Sequence, residues 1–253
     1  MIRSSILTLF FALPSMALAL SNEKCQGTYL EKREAIFNGK ILTDSVEKFI
    51  NDYENCPPAI IAITSTGGDA EAAMILGNWI FKSGIQINVP FICMSSCANY
   101  VFPAAKNKVI GSKALVIWHG SALQKDFRDF MEKYESLERT NEDPLYVSEN
   151  ALRYQSLKRI VKAQSEFYAR IGVDEAIDRL GQEPTEYGVA GWSATTAVME
   201  KYGIQGVNAA ANYAEPEYLR MLSGLNALFK GKFMSFGLDS SGKLTPIFLD
   251  SKK

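Results

Sequence analysis

The sequence contains a single histidine, His119, among 253 residues. Histidine is the side chain whose ordinary pKa lies closest to neutral pH, so a mechanism that needs a histidine base has one candidate. The four cysteines include no Cys-x-x-Cys pair, and scattered cysteines beside one histidine make a poor zinc ligand set. We therefore expect no metal ion, and a mechanism built on a histidine base would need no cofactor.

Long hydrophobic runs and an excess of basic charge are also missing. Lys and Arg number 27 against 28 Asp and Glu, so no basic patch predicts a nucleic-acid partner. Residues 1–19 combine a positive start, a short apolar stretch and the small-x-small pattern Ala17-Leu18-Ala19, which is typical of a secretory signal peptide. No later segment approaches the about 18 apolar residues of a membrane span, so no anchor is expected after cleavage. We expect a periplasmic or secreted protein in which residues 20–253 form a single domain.

The four cysteines of an exported chain favour disulfides. Cys25 and Cys56 flank the first strand–helix unit and are one candidate pair. Cys93 and Cys97 are candidates either to pair with each other or to stay free. Four cysteines allow three pairings, and the sequence does not choose among them.

Strands alternate with helices over the first half of the chain. Residues 59–64 form a continuous apolar run typical of a central parallel strand, and residues 70–82 have helical spacing up to Gly84. Residues 85–94 and 114–119 also predict strands. This alternation predicts an α/β fold with a parallel sheet.

The charge and the hydrophobic periodicity of the sequence change after Gly120. Residues 124–180 are charged and helical in period, and they predict either helices packed on the sheet or a projecting arm for self-association. Two apolar stripes run along them: Phe127, Phe130, Met131, Tyr134 and Leu137, then Leu152, Leu157, Ile160, Val161 and Phe167. Residues 202–204 predict a return to a strand, and residues 232–249 predict a β-hairpin.

Three segments carry residues suited to acyl transfer, which needs a nucleophile, a base and N–H donors for an oxyanion. Gly68 ends a Gly-Gly pair directly after a predicted strand, where bare backbone can approach a substrate. Ser95 and Ser96 lie at a strand-to-helix junction, and His119 ends an apolar strand. Each feature alone is more often a turn, a helix cap or a strand end, but their order and spacing favour a common site.

These segments resemble the motifs of the Clp protease proteolytic-subunit family. The matching residues are Ser65-Thr66-Gly67-Gly68, Cys93-Met94-Ser95-Ser96-Cys97-Ala98 and Ile117-Trp118-His119. The similarity is greater to exported ClpP-like proteins of the ClpP/crotonase superfamily. The resemblance implies a spiral of parallel strands with helices and hydrolysis of peptide bonds. To this fold the apolar stripes add a helical arm at about residues 124–180 and the expectation of a homo-oligomer.

The resemblance leaves the nucleophile and the acid open. A C-x-S-x-C pattern selects Ser95, whereas the spacing back from His119 and the small residues that follow select Ser96. We favour Ser96 as nucleophile with His119 as base, and then the N–H groups of Gly68 and Cys97 as the oxyanion hole.

The position of the family's acid falls in residues 188–192, which contain no acidic residue. Asp178, Glu183 and Glu186 are near in sequence, but none aligns. The favoured function is an exported serine peptidase that uses a Ser/His mechanism. The alternatives are an inactive ClpP-like module that binds a partner, and a crotonase-type enzyme acting on an acyl-thioester, which export disfavours.

Overall fold

The structure is a computed structural model that describes residues 34–182, 187–222, 224, 228–230 and 232–248. The expected signal peptide, Cys25, Glu183 and Glu186 lie outside these residues.

The elements follow one another as strands and helices along the chain. The strands are β1 (Glu34–Asn38), β2 (Ile60–Thr64), β3 (Gln86–Val89), β4 (Ile92–Met94), β5 (Lys108–Ile110), β6 (Leu115–Ile117), β7 (Gly191–Ala194), β8 (Val207–Asn208), β9 (Phe233–Leu238) and β10 (Leu244–Phe248). The α-helices are α1 (Thr43–Tyr53), α2 (Ala70–Ser83), α3 (Lys125–Thr140), α4 (Pro144–Ile171), α5 (Thr196–Lys201) and α6 (Pro216–Met221). A π-helical segment spans Cys97–Val101, and a 3₁₀-helix spans Glu175–Arg179.

The strands form three small sheets that are mostly parallel. The first has the order β1-β2-β3-β5-β8, the second is the parallel pair β4-β6, and the third has the order β10-β9-β7. Isolated bridges connect them: Ser65 pairs with Cys93, and Trp118 pairs with Trp192. The predicted α/β class with a parallel sheet is confirmed, and so is the C-terminal hairpin, in which β9 and β10 are antiparallel.

The predicted strand over residues 85–94 is instead two strands in different sheets. Pro90 lies between β3 and β4, and proline has no N–H to donate to a ladder. β3 pairs with β2 and β5, whereas β4 pairs with β6. This break brings the segment after β4 beside the segment after β6.

The strand predicted at residues 202–204 is wrong. Gly203 has a positive φ of 86° and belongs to a turn, and a Cβ there would lie 2.5 Å from the carbonyl oxygen of Gly172. The close approach to the end of α4 needs glycine. The chain returns to the first sheet only at β8.

Helices α3 and α4 form a hairpin with a small core of its own. The tip turns at Asn141, with φ 58°, and α4 begins after Asp143, whose carboxylate accepts from the N–H of Tyr146 at 3.0 Å. Tyr134 and Tyr154 stack across the hairpin at 4.1 Å between ring centroids. The first predicted stripe therefore faces the partner helix, while Leu152 of the second stripe is 87% exposed.

The second half of α4 packs on the main core. Gln164, Phe167 and Tyr168 are fully buried there, and the rings of Phe167 and Tyr100 make an edge contact at 5.8 Å. Arg159 of α4 also pairs with Glu71 of α2 at 3.0 Å. The interpretation of helices packed on the sheet thus holds for this half of α4, whereas the outer half packs on α3. Self-association through the segment stays a prediction.

The open question of the cysteines is answered for the described residues. Cys93 and Cys97 form a disulfide, and Cys56 is also disulfide-bonded. Cys25, its candidate partner, is outside the described residues.

None of the helices in the described ranges has the length and hydrophobicity needed to cross a bilayer. The same part of the chain holds no group of His, Cys, Asp and Glu arranged to bind a metal ion.

Candidate active site

Ser95 and His119 meet at the ends of two paired strands. The register of β4 and β6 places Met94 opposite Ile117, and the N–H of Ser95 extends the ladder by donating to the Ile117 carbonyl at 3.0 Å. The Oγ atom of Ser95 then lies 2.7 Å from Nε2 of His119. A nucleophile and a base need this hydrogen-bond distance for proton transfer.

The backbone of Ser95 has an unusual conformation. Its φ is +59°, in the left-handed region that side chains other than glycine rarely adopt. Such a residue costs about 1–3 kcal/mol and persists only where the surrounding structure enforces it. The carbonyl of Ser95 accepts from the N–H of Asn99 at 2.8 Å, which helps to hold the turn. The result is a hydroxyl raised from the end of a strand toward the histidine.

Ser96, the serine preferred from sequence spacing, has a different environment. The residue is 6% exposed, and its Oγ donates to the carbonyl oxygen of Gly68 at 2.8 Å. His119 contacts Ser95 and not Ser96, so the geometry does not support the sequence preference. The physical reason is the positive φ of Ser95, which turns successive side chains to different sides of the junction.

The backbone of Gly68 presents its polar groups to this junction. Ile41 donates to the Gly67 carbonyl at 3.0 Å and accepts from the N–H of Asp69 at 2.8 Å. In a parallel ladder the C=O of Gly67 and the N–H of Asp69 both point toward Ile41. The N–H and C=O of Gly68, the residue between them, therefore point to the opposite side of the strand. Its carbonyl is taken by Ser96, and the described residues offer no acceptor to its N–H.

Which backbone N–H groups could stabilise an oxyanion depends on which serine is the nucleophile. Cys97 was expected as an oxyanion donor because it follows Ser96, but the residue that follows Ser95 is Ser96. Ser96 immediately precedes the π-helical segment, and N–H groups at the start of a helix have no acceptor within it. With Ser95 as nucleophile, the N–H groups of Gly68 and Ser96 are therefore the candidate pair of oxyanion donors, and Ser96 takes the place expected for Cys97.

Gly67 makes room for the raised serine. A Cβ at this position would lie 2.6 Å from Cβ of Ser95 and 2.7 Å from the carbonyl oxygen of Met94. A Cβ atom essentially never approaches non-bonded atoms this closely, so either Ser95 or the loop has to move.

We predict that Gly67→Ala lowers the reactivity of Ser95 about 100-fold, because a displacement of about 1 Å is enough for a loss of this size. Gly84→Ala is the matched control, since Gly84 also has a positive φ but open space around a Cβ. Both variants lose stability, measured by thermal unfolding. Equal loss of reactivity in both variants would show that backbone strain, not contact with Ser95, is responsible.

His119 is held through its backbone by two side-chain amides. Nε2 of Gln182 donates to the carbonyl of His119 at 3.1 Å, and Nδ2 of Asn99 donates to the carbonyl of Gly120 at 2.8 Å. The ring keeps an exposed edge, but the protein around it lowers the pKa of His119 by desolvation, against a smaller opposing effect of its own backbone. The imidazole is therefore neutral at pH 7, the form that accepts a proton.

Asp178 does not supply the missing acid. Its side chain is fully buried and contacts the hydroxyl of Tyr168 at 2.7 Å, and the described residues include no carboxylate bonded to the ring of His119. The Tyr168 hydroxyl also lies 2.6 Å from the carbonyl oxygen of Asn99. A tyrosine has one hydroxyl proton, so both contacts are hydrogen bonds only if Asp178 is protonated and donates to Tyr168.

Burial provides the reason for a neutral acid at this position. Desolvation raises the pKa of Asp178 well above its ordinary value, and the hydrogen bond with Tyr168 opposes this only in part. Asp178 then donates to Tyr168, and Tyr168 donates to the Asn99 carbonyl in the π-helical segment that follows the Ser95-Ser96 pair. Asp178 is thus connected to the site through this chain of hydrogen bonds.

We predict that Asp178→Asn changes the free energy of unfolding little at about pH 4, because the amide still donates to Tyr168, and raises it at pH 7, where the wild type has to protonate this carboxyl on folding. Asp178→Ala leaves a cavity and an unpaired hydroxyl and costs about 1–3 kcal/mol. A raised pKa in the folded state means that the wild type loses stability as pH rises above the unfolded value of about 3.9. Thermal unfolding from pH 5 to 9 should show this decline in the wild type but a smaller one in Asp178→Asn; parallel curves would mean that Asp178 is ionised.

Gln164 of α4 fixes the loop after His119. Its Oε1 accepts from the Tyr100 hydroxyl at 2.7 Å and from the N–H of Ala122 at 3.2 Å, and its Nε2 donates to Ser121 Oγ at 3.3 Å. Sequence reasoning missed this residue. The available signal was a glutamine on an apolar helix face, between Ile160 and Phe167.

A cleft of about 160 Å³ opens beside the serine and histidine. Its far wall comes from the helical hairpin, through Phe127, Leu157 and Ile160, and Tyr100 lines its floor. Ser95 and His119 therefore lie at the edge of a pocket that can receive an apolar side chain.

Comparisons with known proteins give matches among solved structures alone. No family model matches the chain, and no curated protein matches it. A variant of the 1510-N membrane-bound stomatin-specific protease has a TM-score of 0.42 at 13% identity, covering 87% of this chain and 93% of its own. ClpP1 from Listeria monocytogenes has a TM-score of 0.36 at 16% identity, covering 69% of this chain and 89% of its own. A variant of that ClpP1 has a TM-score of 0.41 at 13% identity over 71% of this chain and 93% of its own.

Proposed function

We propose that this protein is a serine peptidase in which Ser95 is the nucleophile and His119 is the general base. The observation that carries the proposal is the distance of 2.7 Å between Ser95 Oγ and His119 Nε2, with Ser95 in the left-handed conformation. A serine hydroxyl is a weak nucleophile at pH 7 unless an adjacent base takes its proton. The contact between Ser95 and His119 supports the assignment of His119 as that base.

The proposed reaction has two steps. Ser95 Oγ attacks the substrate carbonyl carbon as its proton passes to His119, and the N–H groups of Gly68 and Ser96 stabilise the oxyanion. His119 then gives the proton to the leaving amine, and the C–N bond breaks to leave an ester on Ser95. Water, deprotonated by His119, attacks this ester; the acyl C–O bond to Ser95 then breaks as His119 returns the proton to Oγ, which releases the second product as a carboxylic acid and restores the free serine.

The cleft favours peptides over small acyl-thioesters as substrates. Phe127, Leu157 and Ile160 form an apolar wall beside Ser95, suited to an aliphatic or aromatic side chain next to the scissile bond. The wall contains no basic residue that would bind the phosphates of a coenzyme. We therefore favour peptide hydrolysis over the crotonase-type alternative.

The test of this proposal is cleavage of a defined peptide library, followed by mass spectrometry of the products. We expect cleavage next to apolar side chains by the wild type and none by Ser95→Ala. Acyl-thioester hydrolysis without peptide cleavage would favour the crotonase-type enzyme. No hydrolysis of either substrate would favour the inactive binding module.

We also propose that the protein acts outside the cytoplasm. The support is the Cys93–Cys97 disulfide, because disulfides persist in oxidising compartments such as the periplasm. A reporter fused after residue 40, assayed on both sides of the membrane, tests the export signal expected in residues 1–19.

A further prediction concerns self-association through the outer part of the helical hairpin. Leu145 and Leu152 of α4 are 67% and 87% exposed, one heptad apart on the same helix face. We expect Leu145→Glu/Leu152→Glu to reduce the mass measured by light scattering, whereas Ile75→Glu, exposed on α2, leaves it unchanged. A wild-type monomer at high concentration would contradict the prediction.

A further inference from the structure

The Cys93–Cys97 disulfide encloses the proposed nucleophile. Cys93 lies in β4, Cys97 begins the π-helical segment, and Ser95 is the central residue between them. Both cysteines are fully buried, so the bond lies beneath Ser95 and away from solvent. The bond therefore joins the two elements whose junction raises the serine.

The location of the bond favours a local role. Stabilisation by a disulfide grows with the length of the loop that it closes, and this loop has a sequence separation of only 4. A short cross-link contributes less to overall stability than a long one would. What it restricts most is the path of the few residues inside it.

The residues inside the disulfide loop include Ser95, whose backbone is strained. Ser95 has φ +59°, and its N–H and carbonyl bind Ile117 and Asn99 at 3.0 and 2.8 Å. These two bonds connect the turn to β6 and to the helix, while the disulfide connects β4 to the same helix. A conformation of this kind persists only when several contacts impose it.

We infer that the Cys93–Cys97 disulfide is a positioning device, which holds Ser95 Oγ against His119 and the Ser96 N–H beside it. The inference rests on the proposed function for its catalytic meaning. Without the cross-link, Ser95 relaxes toward an ordinary backbone conformation, and its hydroxyl moves away from the imidazole. Cys93 and Cys97 then act on the reaction only through Ser95 and Ser96.

The single histidine provides a direct spectroscopic test. The ¹⁵N and ¹H signals of His119 need no assignment by mutagenesis, because the chain contains no other histidine. We expect the signals in Cys93→Ala/Cys97→Ala to move toward those of Ser95→Ala, in which the hydrogen bond to Nε2 is absent. Wild-type signals in the double variant would overturn the inference.

Kinetics provide the second readout. Labelling of the double variant by a fluorophosphonate should be about 100-fold slower than that of the wild type, as expected for a displacement of about 1 Å. With a peptide substrate, kcat should fall more than KM. Val46→Ala, a buried substitution in α1 outside the cleft lining, is the control for lost packing. A wild-type labelling rate in the double variant overturns the inference, whereas an unreactive wild type defeats the proposed function and leaves the histidine signals to decide the positioning.

Discussion

Replacement of Ser95 by alanine is expected to abolish reaction with a fluorophosphonate, while replacement of Ser96 is not. Ser95 Oγ is the hydroxyl within 2.7 Å of His119 Nε2, so its removal leaves the base without a nucleophile. Ser96 contributes its N–H, which alanine retains, and a hydroxyl that binds the Gly68 carbonyl. Loss of one such neutral hydrogen bond costs about 1 kcal/mol, or less than about tenfold in rate.

The two variants form a matched pair, because each removes one hydroxyl from adjacent residues. The readout is the second-order rate constant of labelling, with circular dichroism to establish that both variants are folded. The reverse result, with Ser96→Ala unreactive and Ser95→Ala reactive, would return the nucleophile to the residue favoured by sequence spacing. The chemistry with His119 would then require a rearranged junction.

Replacement of His119 is expected to slow labelling by about 10²–10⁴-fold, the range of general-base assistance. No other histidine can compensate. His119→Gln is the preferred variant, because the amide keeps a polar group near Ser95 without a basic nitrogen. Its thermal unfolding temperature provides the control for folding.

The pH dependence of the wild type follows from the same residue. The base acts only when neutral, so the rate rises with pH through the pKa of His119 and then levels off. Desolvation lowers this pKa, so the midpoint of the rise lies below the ordinary value of about 6.5. A midpoint above that value, or an NMR titration of His119 that disagrees with the kinetic midpoint, would contradict the role of His119 as the free neutral base.

Local patterns predicted most of the elements around the site. The helix α2 could be predicted because helical spacing, the Asp69 cap and the terminal Gly84 all lie within one segment. The division of residues 85–94 into β3 and β4 could not, because the two strands differ in their partners, which are distant in sequence. The site depends on that division, since β4 has to pair with β6 before Ser95 meets His119.

The choice between Ser95 and Ser96 shows where sequence spacing is insufficient. It depends on the sign of φ at one residue and on a hydrogen bond from Ser96 to Gly68, which is 28 residues away. The supporting amides Asn99 and Gln164 also act over long separations, toward Gly120 and Tyr100. The sequence motifs identified the segments of the site, whereas the choice of Ser95 over Ser96 depends on the folded backbone.

The most direct measurement is identification of the residue that a fluorophosphonate modifies. The labelled wild-type protein is digested, and fragment ions of the peptide that contains the Ser95-Ser96 pair distinguish the two side chains. We predict a phosphonate ester on Ser95 that requires His119 for its formation. An adduct on Ser96, or no adduct between pH 6 and 9, would contradict the proposed Ser95–His119 mechanism.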